Sequence, residues 1–60
     1  MNINGVISFI SEYGHGNTVR AVQGCFDQGR LTEAQARQLI SLVSGHYLEQ
    51  TGRVANWRLS

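Results

Sequence analysis

Cys25 is the only cysteine in a chain of 60 residues. A domain this short hides only about 60% of the surface its unfolded chain exposes. Disulfides, a structural metal or self-association usually supply the missing stability. One cysteine rules out an internal disulfide. Stability must then come from an efficient core or from association of copies, and a homodimer is one expectation. A lone free thiol also fits a reducing compartment.

The residues available for metal binding are equally sparse. His15, Cys25 and His46 are the only imidazole or thiol side chains, ten and twenty-one residues apart. No zinc pattern has that spacing, and structural sites normally use four ligands. No metal and no cofactor are expected. His15 reads as exposed in a turn, and His46 as lying on the edge of a buried stripe.

Apolar residues make up 42% of the chain and charged residues 15%, a balance that favours order. Proline is absent, which suits helix. The spacing predicts an all-α, three-helix mini-domain forming a single helical domain over 1–60, with helices at about 3–13, 17–28 and 32–51 and an irregular or short structured tail. In the first segment Ile3, Val6, Ile7 and Ile10 fall on one helical face, and Phe9 and Tyr13 widen it. Asn2 or Asn4 is expected to cap its start, and Gly14 to end it in a left-handed conformation.

Gly14-His15-Gly16 reads as a turn, with Asn17 or Thr18 capping the second helix. Val19, Val22 and Phe26 form its stripe, with Cys25 beside it, and Gly29 ends it. Gly24 implies either a close backbone approach or a weak helix. The third segment opens on Thr32-Glu33-Ala34-Gln35, the pattern of a capping box, with Leu31 placed to pack on Ala36 as a hydrophobic staple. Glu33 precedes Arg37 by four positions, the favourable order for a helical ion pair. Ala36, Leu39, Ile40, Val43 and Tyr47 make the buried stripe, Leu42 and His46 flank it, and Gly52 closes the helix. In the tail, Ala55, Trp57 and Leu59 alternate as in a strand, while Val54 and Trp57 have helical spacing. A lone strand would need another chain, so Trp57 folded onto the bundle is the default expectation.

The first basic side chain is Arg20, so the amino end lacks the basic region of a secretory signal, and the apolar stretches fall short of the roughly 20 residues that span a membrane. A soluble, cytoplasmic protein with no membrane partner is expected. The net charge of +1 lacks the strong basic balance of a dedicated nucleic-acid binder. All five basic residues are arginine, the side chain suited to planar contacts with carboxylate or phosphate.

Chemistry is hard to assemble from these residues. Cys25, a histidine and Asp27 would form a nucleophilic set on paper, but a free cysteine beside an apolar stripe is ordinarily a small core residue. No enzyme is expected. The loop Gly14-His15-Gly16-Asn17 lacks the strand before it and the Lys-Ser/Thr after it that a phosphate loop requires. The run from Phe9 to Val22, with Tyr13-Gly14 closing one helix and Arg20 in the next, resembles the opening of repressor-type helix-turn-helix domains. That resemblance implies DNA binding; Arg20, Arg30 and Arg37 are the candidate phosphate contacts, although an ordinary solvated surface explains them equally well. The long third helix departs from the pattern, and its outward Glu33, Arg37, Ser41 and Ser44 make a poor base-reading face.

Protein recognition accounts better for the remaining residues. Leu48 lies opposite the buried stripe, and Trp57 sits between Arg53 and Arg58, a composition typical of interface anchors. Leu48, Arg53, Trp57 and Arg58 are therefore the candidate protein-binding residues, the alternative being that Trp57 simply caps the core. In Met1-Asn2-Ile3-Asn4-Gly5-Val6, the Tyr13-Gly14 turn and Leu31-Thr32-Glu33-Ala34-Gln35, the chain resembles the short accessory proteins of lambda-like temperate bacteriophages. That resemblance implies a bacterial-host cytoplasm and a regulatory role in phage development through a host or phage protein.

Overall fold

Residues 3–60 are described by a computed structural model, which contains α1 (Ile3–Tyr13), α2 (His15–Asp27) and α3 (Glu33–Thr51). Among the described residues there is no strand, and no helix is long and apolar enough to cross a membrane. The architecture is the expected all-α three-helix arrangement. Asn4 lies inside α1 and so does not cap it; Asn2 lies outside the described residues.

The core is built from the predicted stripes. Val6 and Ile10 of α1, Val19 and Val22 of α2, and Ala36, Ile40 and Val43 of α3 are buried together. Ala36 and Val43 have no exposed surface at all, so the middle of α3 is the centre of the fold. Phe26, Leu31, Leu39 and Leu42 pack around this centre, which places Leu31 on the cluster that contains Ala36. Ile3 departs from its stripe and is 61% exposed, because it sits in the first turn of α1, beyond the end of the core. Phe9 and Tyr13 flank the stripe, 38% and 51% exposed, with ring centroids 4.5 Å apart.

The junction of α1 and α2 is tighter than the expected turn. Gly14 alone interrupts the helices, and α2 starts at His15, two residues before the predicted start. The physical reason is the backbone of Gly14, at φ 90 and ψ 164. This is not the left-handed helical conformation expected there but an extended conformation at positive φ that essentially only glycine adopts. Its N–H donates to Ile10 O at 2.7 Å, and its carbonyl accepts from Thr18 N at 3.1 Å. The Thr18 hydroxyl donates to the same carbonyl at 2.7 Å, which satisfies a polar group that is buried with the core. Asn17 Nδ2 donates back to Tyr13 O at 2.9 Å. Neither Asn17 nor Thr18 is a cap; both belong to the first turns of α2.

The ends of α2 and α3 follow the sequence closely. Gly29, at φ +75, terminates α2 with Arg30 N–H donating to Cys25 O and Gly29 N–H to Phe26 O, the paired bonds of a Schellman ending. The capping box at Thr32 is complete: Gln35 N–H donates to Thr32 Oγ1 at 3.1 Å, and Thr32 N–H to Gln35 Oε1 at 2.9 Å. Arg37 and Glu33 pair at 3.6 Å with both side chains largely exposed, a contact worth little beyond a few tenths of a kcal/mol. Gly52 closes α3 in the left-handed conformation.

Beyond Gly52 the tail is neither helix nor strand. Trp57 and Leu59 turn inward onto the core. The chain's last residue is held by a side chain of α2: Ser60 N–H donates to Gln23 Oε1 at 2.9 Å, and Gln23 Nε2 donates to Ser60 O at 3.3 Å. Gln23 Nε2 also donates to Asp27 Oδ1 at 2.8 Å, which orients the amide.

Two glycines test this account in opposite directions. At Gly24 and Gly45 an added Cβ would meet nothing within 4 Å. No backbone approaches Gly24 closely, so its helical cost stands. Gly45→Ala, on the exposed side of α3, is expected to raise stability by about 1 kcal/mol. Gly14→Ala must force alanine into glycine-only backbone and should lower stability by roughly 1–3 kcal/mol. Thermal or urea unfolding followed by circular dichroism measures both, and a stabilising Gly14→Ala would contradict the junction described.

Candidate functional site

The early start of α2 places His15 on the helix facing α3 rather than exposed in a turn. Its Nε2 lies 2.9 Å from His46 Nδ1, and both side chains are half-buried. Tyr47 meets the His15 ring edge-on at 5.2 Å. The Trp57 indole lies nearly parallel to the His15 ring at 6.3 Å and packs edge-on against Tyr47 at 5.0 Å. Residues from α2, α3 and the tail thus form one aromatic seat, and Trp57 is the piece that docks the tail into it.

Docking the tail creates a groove beside α3. Arg37, Ile40 and Ser41 of the helix and Trp57, Arg58 and Leu59 of the tail enclose about 420 Å³. Half-buried Trp57 and Leu59 supply the apolar surface over the buried Ile40, while Arg37 and Arg58 are exposed. An apolar base flanked by guanidinium groups suits a ligand that presents an apolar side chain next to a carboxylate, because arginine binds carboxylate through two parallel N–H donors.

The predicted site residues divide around this groove. Trp57 and Arg58 line it, and Arg37, named as a candidate DNA contact, lines it with them. Arg53 and Leu48 are exposed but are not among its walls. The Arg53 backbone N–H donates to Thr51 Oγ1 at 3.1 Å. Arg20 is exposed on α2 and donates through Nη1 to Asn17 Oδ1 at 3.2 Å. Arg30 is exposed in the connection between α2 and α3. Ile40, Ser41 and Leu59 are wall residues that sequence reasoning missed. Ile40 was legible as core, but nothing in the chain's local pattern shows that the tail crosses beside it.

Two further grooves flank α1 and share Val6 and Leu31. One, of about 260 Å³, lies toward α2 and includes Phe9, Ala21, Val22 and Cys25; the other, about 370 Å³, lies toward α3 and includes Ile3, Leu39 and Leu42. Cys25 is half-buried there among apolar side chains, the ordinary setting of a free cysteine in a small core. No protein-family model, curated protein or solved structure matches this chain.

The histidine pair makes the fold sensitive to pH. Burial, and secondarily the positive charge that His46 can carry, hold the His15 imidazole below the usual value of 6.5. Between that lowered value and 6.5 the unfolded chain binds more protons than the folded one, so stability falls as pH drops through this window and is recovered above it. Urea unfolding at pH 7.5, 6.5 and 5.5 should show this decline, and His15→Gln should flatten it. An unchanged slope in His15→Gln would place the origin elsewhere.

Proposed function

We propose that this chain is a non-enzymatic helical modulator that binds a protein partner through the groove between α3 and the tail. The observation that carries the proposal is the groove itself, in which Trp57 and Leu59 give apolar surface and Arg37 and Arg58 supply charge. Tryptophan and arginine are the residues most enriched among the few that dominate binding energies. The partner segment that fits is acidic and apolar together. The likeness of the opening residues and of the α3 start to lambda-like phage accessory proteins supports placing the interaction in a bacterial host's cytoplasm, with a host or phage protein as partner and phage development as the process regulated.

Arg37→Glu and Arg58→Glu reverse charge at exposed positions and should leave the helices intact by circular dichroism. Each brings like charges together in the complex, which costs several kcal/mol. Capture from bacterial lysate, followed by binding measurements with the identified partner, should show loss in both variants and weakening with salt. Retention of every specific partner in both would refute the groove as the site. A duplex-DNA complex formed at low salt by the wild type, and lost with Arg20→Ala and Arg37→Ala, would instead establish the DNA-binding reading.

A further inference from the structure

The chain's two histidines are 31 residues apart in sequence, yet the fold aims one ring nitrogen of each at the other across 2.9 Å. His15 opens α2, and His46 lies in the C-terminal half of α3. The two helices pack against each other through the buried core, which holds the two side chains at this distance. We infer that His15 and His46 form a two-imidazole binding site for a borderline first-row divalent cation, Zn²⁺ or Cu²⁺, which would tie the start of α2 to α3.

The separation of the two rings, though not yet the aim of their nitrogens, is that of a coordinated pair. The ring centroids are 5.2 Å apart. Two imidazoles bound to one tetrahedral zinc, with Zn–N of about 2.0–2.1 Å, place their centroids about 5 Å apart and their ligating nitrogens slightly more than 3 Å apart. The helices are therefore already at the right separation. With nitrogens 2.9 Å apart and centroids 5.2 Å apart the two rings point straight at each other, so a tilt of each ring by about 35°, moving its nitrogen by about 0.7 Å, converts the hydrogen-bonded pair into a chelating one.

The chemistry also balances without loss of a proton. In the neutral pair one ring donates N–H and the other accepts. Cation binding requires a lone pair at both facing nitrogens, which the donor ring provides by moving its proton to its other nitrogen. The groups facing His15 are His46 and Tyr47 of α3 and Trp57 of the tail, and none of them is an ordinarily ionised carboxylate that would hold a proton on the imidazole.

Among the described residues no third histidine, cysteine or acidic side chain joins the pair. The site is consequently open: water, or a donor from a bound molecule, completes the coordination shell, as in sites with free positions. Imidazole ligands suit zinc, copper and nickel, and the divalent affinity order places copper above zinc.

The test uses the full chain with Cys25→Ser, which removes the only thiol as a competing ligand. His15 and His46 are the only histidines, so their imidazole ¹⁵N resonances are unambiguous. Addition of ZnCl₂ at pH 7.5 should shift His15 Nε2 and His46 Nδ1 together in a saturable titration and raise Tm. In His15→Gln and in His46→Phe the apparent affinity should fall by at least the roughly tenfold that even loss of an outer-shell partner costs, and the Tm increase should vanish. CuCl₂ should quench the single tryptophan, Trp57, through its proximity to His15, and do so at lower concentration than ZnCl₂ shifts the imidazoles. Zinc that leaves both imidazoles unshifted, or moves only one of them, would overturn the site. So would unchanged affinity in both variants. Should either variant fail to fold, the imidazole titration of the Cys25→Ser chain decides the question alone.

Discussion

The structure depends first on a one-residue joint. Gly14 hands α1 directly to α2 because it adopts an extended conformation at positive φ, with its N–H bonded backward to Ile10 and its carbonyl bonded forward to Thr18. A longer connection would let α1 drift relative to α2. This joint fixes both the direction and the rotation of α2 as it leaves α1. The same register turns Thr18, Val19 and Val22 inward and brings His15 to α3. The fold has no disulfide to set such angles, so a single backbone conformation does it.

From that joint the core closes around small residues. Ala36 and Val43 are completely covered, and small side chains at the middle of α3 let neighbouring elements come near. Larger apolar groups, Phe26, Leu31, Leu39, Leu42, Trp57 and Leu59, form a surrounding layer that is only partly buried. Sixty residues cannot cover that layer fully, which is the ordinary limit of a small domain. The grooves beside α1 and beside the tail are its visible result, and the candidate binding surface is one of these incompletely covered places given charge by Arg37 and Arg58.

Local chemistry made much of this legible. The Thr32-Gln35 capping box, the Glu33–Arg37 pair and the endings at Gly29 and Gly52 each involve residues within a few positions of one another, and each formed as their spacing predicts. The start of α2 was misread because two glycines around His15 look like a turn, whereas only Gly14 has positive φ and Gly16 is helical. The meeting of His15 with His46 depends on the mutual rotation of two helices, and the hold of Gln23 on Ser60 spans 37 positions. No periodicity encodes such contacts. For the candidate site, the exposure of Leu48, Arg53 and Arg58 could be read from the pattern, but the convergence of Arg37 with Arg58 required the course of the tail.

The tail itself is attached differently from the helices. Its ties to the bundle are Trp57 in the aromatic seat, Leu59 on the core and the Gln23 amide on Ser60. A segment held by so few groups opens with a smaller free energy than the whole domain. The groove has its second wall, Trp57, Arg58 and Leu59, only while the tail is docked. To the extent that the tail opens, a ligand of the groove binds with an apparent affinity scaled by the docked fraction, and a group that tightens the seat beneath Trp57 strengthens binding without touching the ligand. Occupancy of the groove and order in the tail are in this sense one equilibrium, read out at two places.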